Sequence, residues 1–90
     1  MNPAFGPPFR IEWLEEAQAD VRRLDRATAM RLFDGILHFA RNGAGDLAAL
    51  HGELASGFRL RVGDYRVLFT FQRATISIFG VRHRSEAYRR

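Results

Sequence analysis

Apolar residues fall at every second position on both sides of a Gly63-Asp64 pair, from Phe58, Leu60 and Val62 to Tyr65, Val67, Phe69 and Phe71. Such alternation marks strands with one buried face, and a Gly-Asp pair between two of them predicts a tight hairpin. With that pair as the turn, Val62 stands opposite Tyr65, and Arg61 opposite Arg66. The apolar set then shares one face, while Arg59, Arg61 and Arg66 share the other with Leu68 and Thr70.

The rest of the chain follows its own periods. Residues 1–8 hold three prolines and a glycine and read as an extended lead-in. Phe9 to Trp13 alternates apolar and charged residues, as a half-buried strand does. From about Leu14, the spacing of Leu14, Ala17, Val21 and Leu24 gives one helical stripe. Glu15, Glu16 and Asp20 lie early and Arg22, Arg23 and Arg26 late, which suits the helix dipole.

A second helix is predicted to start at Thr28 as N-cap, to bury Met30, Phe33, Ile36, Leu37 and Ala40, and to stop at Asn42-Gly43. Gly35 inside it costs up to about 1 kcal/mol against Ala, which points to close helix–helix packing. Residues 42–56 form a looser connection, where Leu47, Leu50 and Leu54 suit a short helical turn. Three strands follow at 58–62, 65–72 and about 75–82, and residues 85–89 form a terminal turn or helix carrying Tyr88. The order β-α-α-β-β-β predicts an α+β domain, a small antiparallel sheet with two helices on one face.

Ninety residues set one domain, and 47% hydrophobic content with eight Phe supports a packed core. The chain has no cysteine, which excludes a disulfide framework and a thiolate zinc site. It has neither an apolar run of membrane-spanning length nor a basic stretch leading into an apolar signal core, so a cytoplasmic protein with no membrane partner is expected. Charge is segregated. Residues 1–53 hold six Arg against eight acidic residues, a net of −2, and residues 54–90 hold eight Arg against Asp64 and Glu86, a net of +6. All the basic residues are Arg, whose planar fork suits phosphate and stacks on bases.

The basic half is the half with the hairpin. Like charges directly across a strand pair are destabilising, so three arginines on one face with no carboxylate evident beside them point to a polyanion. The plain alternative is the solvated face of a one-sided sheet. His83 is the side chain here whose ordinary pKa lies near neutrality. With a second turn at Arg73-Ala74, His83 falls on the face of Arg61 and Arg66, and a bulge would reverse that. His38 and His51 have no ligand partners at metal-binding spacing.

The run F-R-L-R-V-G-D-Y-R-V-L-F, followed by I-S-I-F-G-V-R-H-R-S-E-A-Y, resembles the RelE/ParE superfamily of bacterial toxins from type II toxin-antitoxin modules. The likeness is strongest over about residues 50–89. It implies the same fold, with the first strand at an edge or beside the last strand. It also implies a cognate antitoxin, small and acidic and encoded by an adjacent gene.

For the ribonuclease branch the resemblance implies an mRNA endoribonuclease that works at the ribosomal A site without cofactor or metal and leaves a 2′,3′-cyclic phosphate. Arg59, Arg61 and Arg66 match that branch's basic positions. Arg82 and Arg84 both fit the arginine that braces the scissile phosphate, with Arg82 favoured by alignment on Tyr88. Proton transfer would fall to His83 or Tyr88. The alternatives are a ParE-like toxin that inhibits DNA gyrase without cleaving anything, or an inactive homologue that binds only its antitoxin.

Overall fold

The computed structural model describes residues 6–50 and 57–87. The chain there runs β1 (Arg10–Trp13), α1 (Glu15–Arg22), α2 (Arg26–Asn42), β2 (Asp46–Ala49), β3 (Phe58–Val62), β4 (Tyr65–Gln72), β5 (Thr75–His83) and α3 (Arg84–Ala87). This is the expected α+β order with one added strand. His51, Leu54 and Tyr88 lie outside the described residues.

The second helix starts three residues earlier than its hydroxyl suggested. Asp25 is the N-cap: Oδ2 accepts the Thr28 N–H at 3.2 Å and Oδ1 accepts the Thr28 hydroxyl at 2.6 Å. A carboxylate can take both donors at once, so Thr28 becomes its partner within the first turn. The helix ends as expected at Gly43, where φ of 72° costs a residue without Cβ nothing and the N–H bonds the Phe39 carbonyl.

The buried stripe of α2 is Leu32, Ile36, Phe39 and Ala40, with Met30 and Leu37 exposed. The expected stripe was rotated because apolar residues cover more than one side of this helix. Phe33 instead meets Trp13 edge-on, with ring centroids 5.7 Å apart. Gly35 allows a close approach to a strand and not to a helix: a Cβ there would lie 2.7 Å from Val62 Cγ1.

The five strands are ordered β1-β5-β4-β3-β2. β1 lies at the edge, parallel to the last strand, and the other pairings are antiparallel. β2 replaces the helical turn expected around Leu47. Pairing Asp46–Ala49 with β3 satisfies the backbone groups of an otherwise open strand edge, a gain that leucine spacing does not reveal.

The first hairpin has the predicted register, Val62 opposite Tyr65 and Arg61 opposite Arg66, with Gly63 at φ 60°. The second turns at Arg73 and Ala74, both left-handed without being glycine. Beyond that turn the register steps from Phe69 opposite Ile78 to Leu68 opposite Gly80, which makes Phe79 the extra residue of a bulge. β5 residues past Gly80 therefore face the opposite way from what counting back from the turn would give.

Leu60, Val67, Phe69, Ile76, Ile78 and Val81 of the sheet are buried with Ala17 of α1 and the α2 stripe. The aromatic rings run from Phe71 through Phe9 and Phe39 to Phe69 and Phe58, with successive centroids 5.1 to 5.8 Å apart. This core fixes which sheet face is left for function.

Candidate nucleic-acid interface

The face turned away from the helices carries the arginines. Because β3, β4 and β5 are adjacent, Arg61, Arg66 and Arg82 stand in one row: Arg61 pairs with Arg66, and Arg66 with Arg82. Neighbouring strands lie about 4.8 Å apart, so the three backbones cross the sheet at that interval. Arg59 stands one step along the same face, opposite Leu68. Its Nη1 is buried with no hydrogen-bond partner among the described residues, a state that costs free energy unless an acceptor arrives.

The row is not free of carboxylates, contrary to the expectation from sequence. Asp46 stands opposite Arg61 on β2, with Oδ2 3.9 Å from Nη1. At the other end Asp20 of α1 accepts from Arg82 Nη1 at 2.6 Å and from the Val81 N–H at 2.9 Å. Asp20 also holds Arg23 at 2.9 Å. Both carboxylates come from elements far away in the chain or missed in the sequence, so local charge counting could not show them. They flank the row at its two ends.

His83 lies on the other face. The bulge pairs it with Tyr65, and the two rings meet edge-on with centroids 5.1 Å apart at 85°. Its Nδ1 accepts the Ser85 N–H at 3.2 Å and lies 2.9 Å from the Ser85 hydroxyl, while its own N–H donates to Glu86 Oε1 at 3.0 Å. With His83 as N-cap, these bonds satisfy backbone donors at the start of α3. The ring also lines a cavity of about 550 Å³ between α2 and the first hairpin, with Thr28, Arg31, Val62 and Asp64. Arg84 anchors the same corner through its backbone N–H, bonded to the Asp64 carbonyl at 2.7 Å. Its side chain is exposed.

Among the described residues, no group of three or more His, Asp or Glu converges as a metal site would. Nor is any helix among them long and apolar enough to cross a membrane.

The family model described as ParE toxin of the type II toxin-antitoxin system parDE matches residues 11–88. This chain belongs to that family, within the RelE/ParE superfamily of toxins. A search of curated proteins finds no match. Among solved structures the toxin resembles one from the toxin-antitoxin complex RelBE2 of Mycobacterium tuberculosis, with TM-score 0.79 and 24% identity over 88% of this chain and 94% of that one. It also resembles one from the archaeal RelE-RelB complex of Pyrococcus horikoshii, with TM-score 0.67 and 20% identity over 86% and 96%. A YoeB/ParE toxin from Agrobacterium tumefaciens follows with TM-score 0.64 and 17% identity over 83% and 98%. At these identities the likeness speaks for the fold.

In this toxin the fold brings together Arg59, Arg61, Arg66 and Arg82 on one face and leaves His83 and Arg84 out of the row. Tyr88 lies beyond the described residues. Asp20 escaped the sequence reading, which placed it only among the early acidic residues of the first helix. Its place at the end of a helix–strand contact gives no local signal.

Proposed function

We propose that this toxin is an endoribonuclease that cleaves mRNA on the ribosome, in the cytoplasm. The row Arg61–Arg66–Arg82 carries the reading. Guanidinium groups from three adjacent strands on one sheet face suit a phosphate backbone, and Arg59 adds a donor beside them. RelE neighbours of the same fold give it further support.

In the proposed reaction the ribose 2′-oxygen attacks the adjacent phosphorus and gives up its proton, while the 5′-oxygen leaves and takes one up. The products are a 2′,3′-cyclic phosphate and a 5′-hydroxyl. Arg61 and Arg82 stabilise the charge that builds on the phosphoryl oxygens, and Arg59 and Arg66 align the backbone. Arginine cannot move the protons, because its pKa stays above about 12. With His83 on the helix side, Tyr88 is the remaining one of the two residues considered for that work.

A cognate antitoxin goes with this role. An acidic segment that folds on binding would cover the arginine face and neutralise it. The structural neighbours from Mycobacterium tuberculosis and Pyrococcus horikoshii come from complexes with antitoxins.

A second reading, a gyrase-directed toxin that cleaves nothing, is favoured by two observations. The matching family model is that of ParE, and the described part of the arginine face holds no histidine. Primer extension on translating mRNA decides between the two. Discrete cuts that depend on the toxin support the ribonuclease. Intact mRNA with gyrase trapped on cleaved DNA supports the alternative.

A further inference from the structure

We infer that Asp20 is a positioning residue that presets Arg82 for the phosphate, an inference that rests on the ribonuclease reading. Asp20 is held in place from two sides. Its Oδ2 accepts the Val81 N–H at 2.9 Å and its Oδ1 takes Arg23 at 2.9 Å, and its side chain is only 13% exposed. The Val81 bond ties α1 to β5 beyond the point where β1 stops pairing at Ile78. The carboxylate is therefore a fixed object at the edge of the sheet.

Arg82 is bound to that object through one nitrogen. Nη1 donates to Asp20 Oδ2 at 2.6 Å and to the Val81 carbonyl at 3.2 Å, which uses both of its protons. No hydrogen bond among the described residues engages Nε or Nη2. Those two nitrogens form the side-on fork that takes a phosphate with two parallel bonds, and the side chain is 45% exposed. The ion pair thus consumes the inner nitrogen and leaves the outward fork aimed and unspent. A long side chain loses rotamer entropy when it is held in one place, and a fixed partner takes that loss before RNA binds.

Gly80 completes the arrangement. The guanidinium lies across it, so a Cβ at this position would come within 3.0 Å of Arg82 Nη1 and 3.4 Å of Cζ. Gly80 shares the arginine face with Leu68 and Arg66. Its missing side chain is the space through which Arg82 reaches Asp20.

The test uses Asp20→Asn, which keeps an acceptor for Val81 but loses the charge, and Gly80→Ala, which crowds the guanidinium from the other side without touching Asp20. Each is made alone and in an Arg82→Ala background. Single-turnover cleavage of mRNA on ribosomes is measured by primer extension, with urea unfolding as the check on folding. Each variant should lower cleavage about tenfold when Arg82 is present, as coupling within one hydrogen-bond network allows, and should change nothing further once Arg82 is Ala. An equal loss in both backgrounds overturns the positioning role, because it would then act through general stability. An active wild type whose Asn and Ala variants cleave at undiminished rates overturns it as well. A wild type that leaves mRNA intact overturns the ribonuclease reading, and the inference with it.

Discussion

Tyr65 and His83 stand opposite each other on the helix side of the sheet, their rings edge-on with centroids 5.1 Å apart. The imidazole is thereby turned away from Arg61, Arg66 and Arg82, and its Nδ1 is spent on the first turn of α3. In this protein His83 belongs to the joint between β5 and α3.

That placement predicts a particular response to substitution. His83→Asn keeps a good N-cap acceptor and should leave both mRNA cleavage and stability near wild type. His83→Ala removes the acceptor and should cost about 1 kcal/mol of stability. Urea unfolding alongside primer extension checks both. A collapse of cleavage in a stably folded Asn variant would return His83 to proton transfer.

Arg61→Ala and Arg82→Ala should each reduce mRNA cleavage by the order of 10²-fold, as loss of one preorganised charge stabiliser does. The unfolding midpoint of Arg61→Ala should hardly move, because the side chain is exposed and its contact with Asp46 is long, at 3.9 Å. Primer extension with the two purified proteins is the measurement. Undiminished cleavage by both would reduce the face to a solvated surface.

The contact between Gly35 and Val62 predicts a repairable fault. Gly35→Ala adds a Cβ 2.7 Å from Val62 Cγ1, and overpacking of this kind costs about 1–3 kcal/mol. Val62→Ala should restore much of that loss when the two are combined, since it removes the clashing methyl groups. Additive destabilisation in urea titrations would show that the two residues do not meet.

Asp25 gives a pH dependence. Its pKa is held below the ordinary 3.8 by the Thr28 hydroxyl and the Thr28 N–H, both of which bond the carboxylate. A folded-state pKa below the unfolded one contributes stability that is fully present above about 3.8 and is lost as pH falls through the folded value. Thermal midpoints of wild type and Asp25→Asn should therefore converge as pH drops below 3.8. A gap that stays constant through that range would refute the linkage.

How far the sequence could be read depended on how strictly each segment alternates. Phe58 to Phe71 keeps period two on both sides of Gly63-Asp64, and there turn, register and the face of Arg59, Arg61 and Arg66 all emerged correctly. β5 reads Thr-Ile-Ser-Ile-Phe-Gly-Val-Arg-His, with apolar residues at both parities around Phe79. Nothing in that run marks where the register steps, so the face of His83 could not be fixed. β2 is four residues long and gains its place by covering an edge. Asp20 acquires its role only when α1 is laid beside β5, a contact between residues 62 positions apart.

The extra residue at Phe79 also bears on how this protein compares with its relatives. Lost, it would exchange the sides on which Arg82 and His83 stand, with no change in either residue. A single inserted or deleted codon in the last strand can thus decide whether an arginine or a histidine looks out at the ligand. Relatives that align without a gap across this strand can still differ in which of the two side chains is presented, so the strand's frame has to be established before functional residues are carried from one toxin to another.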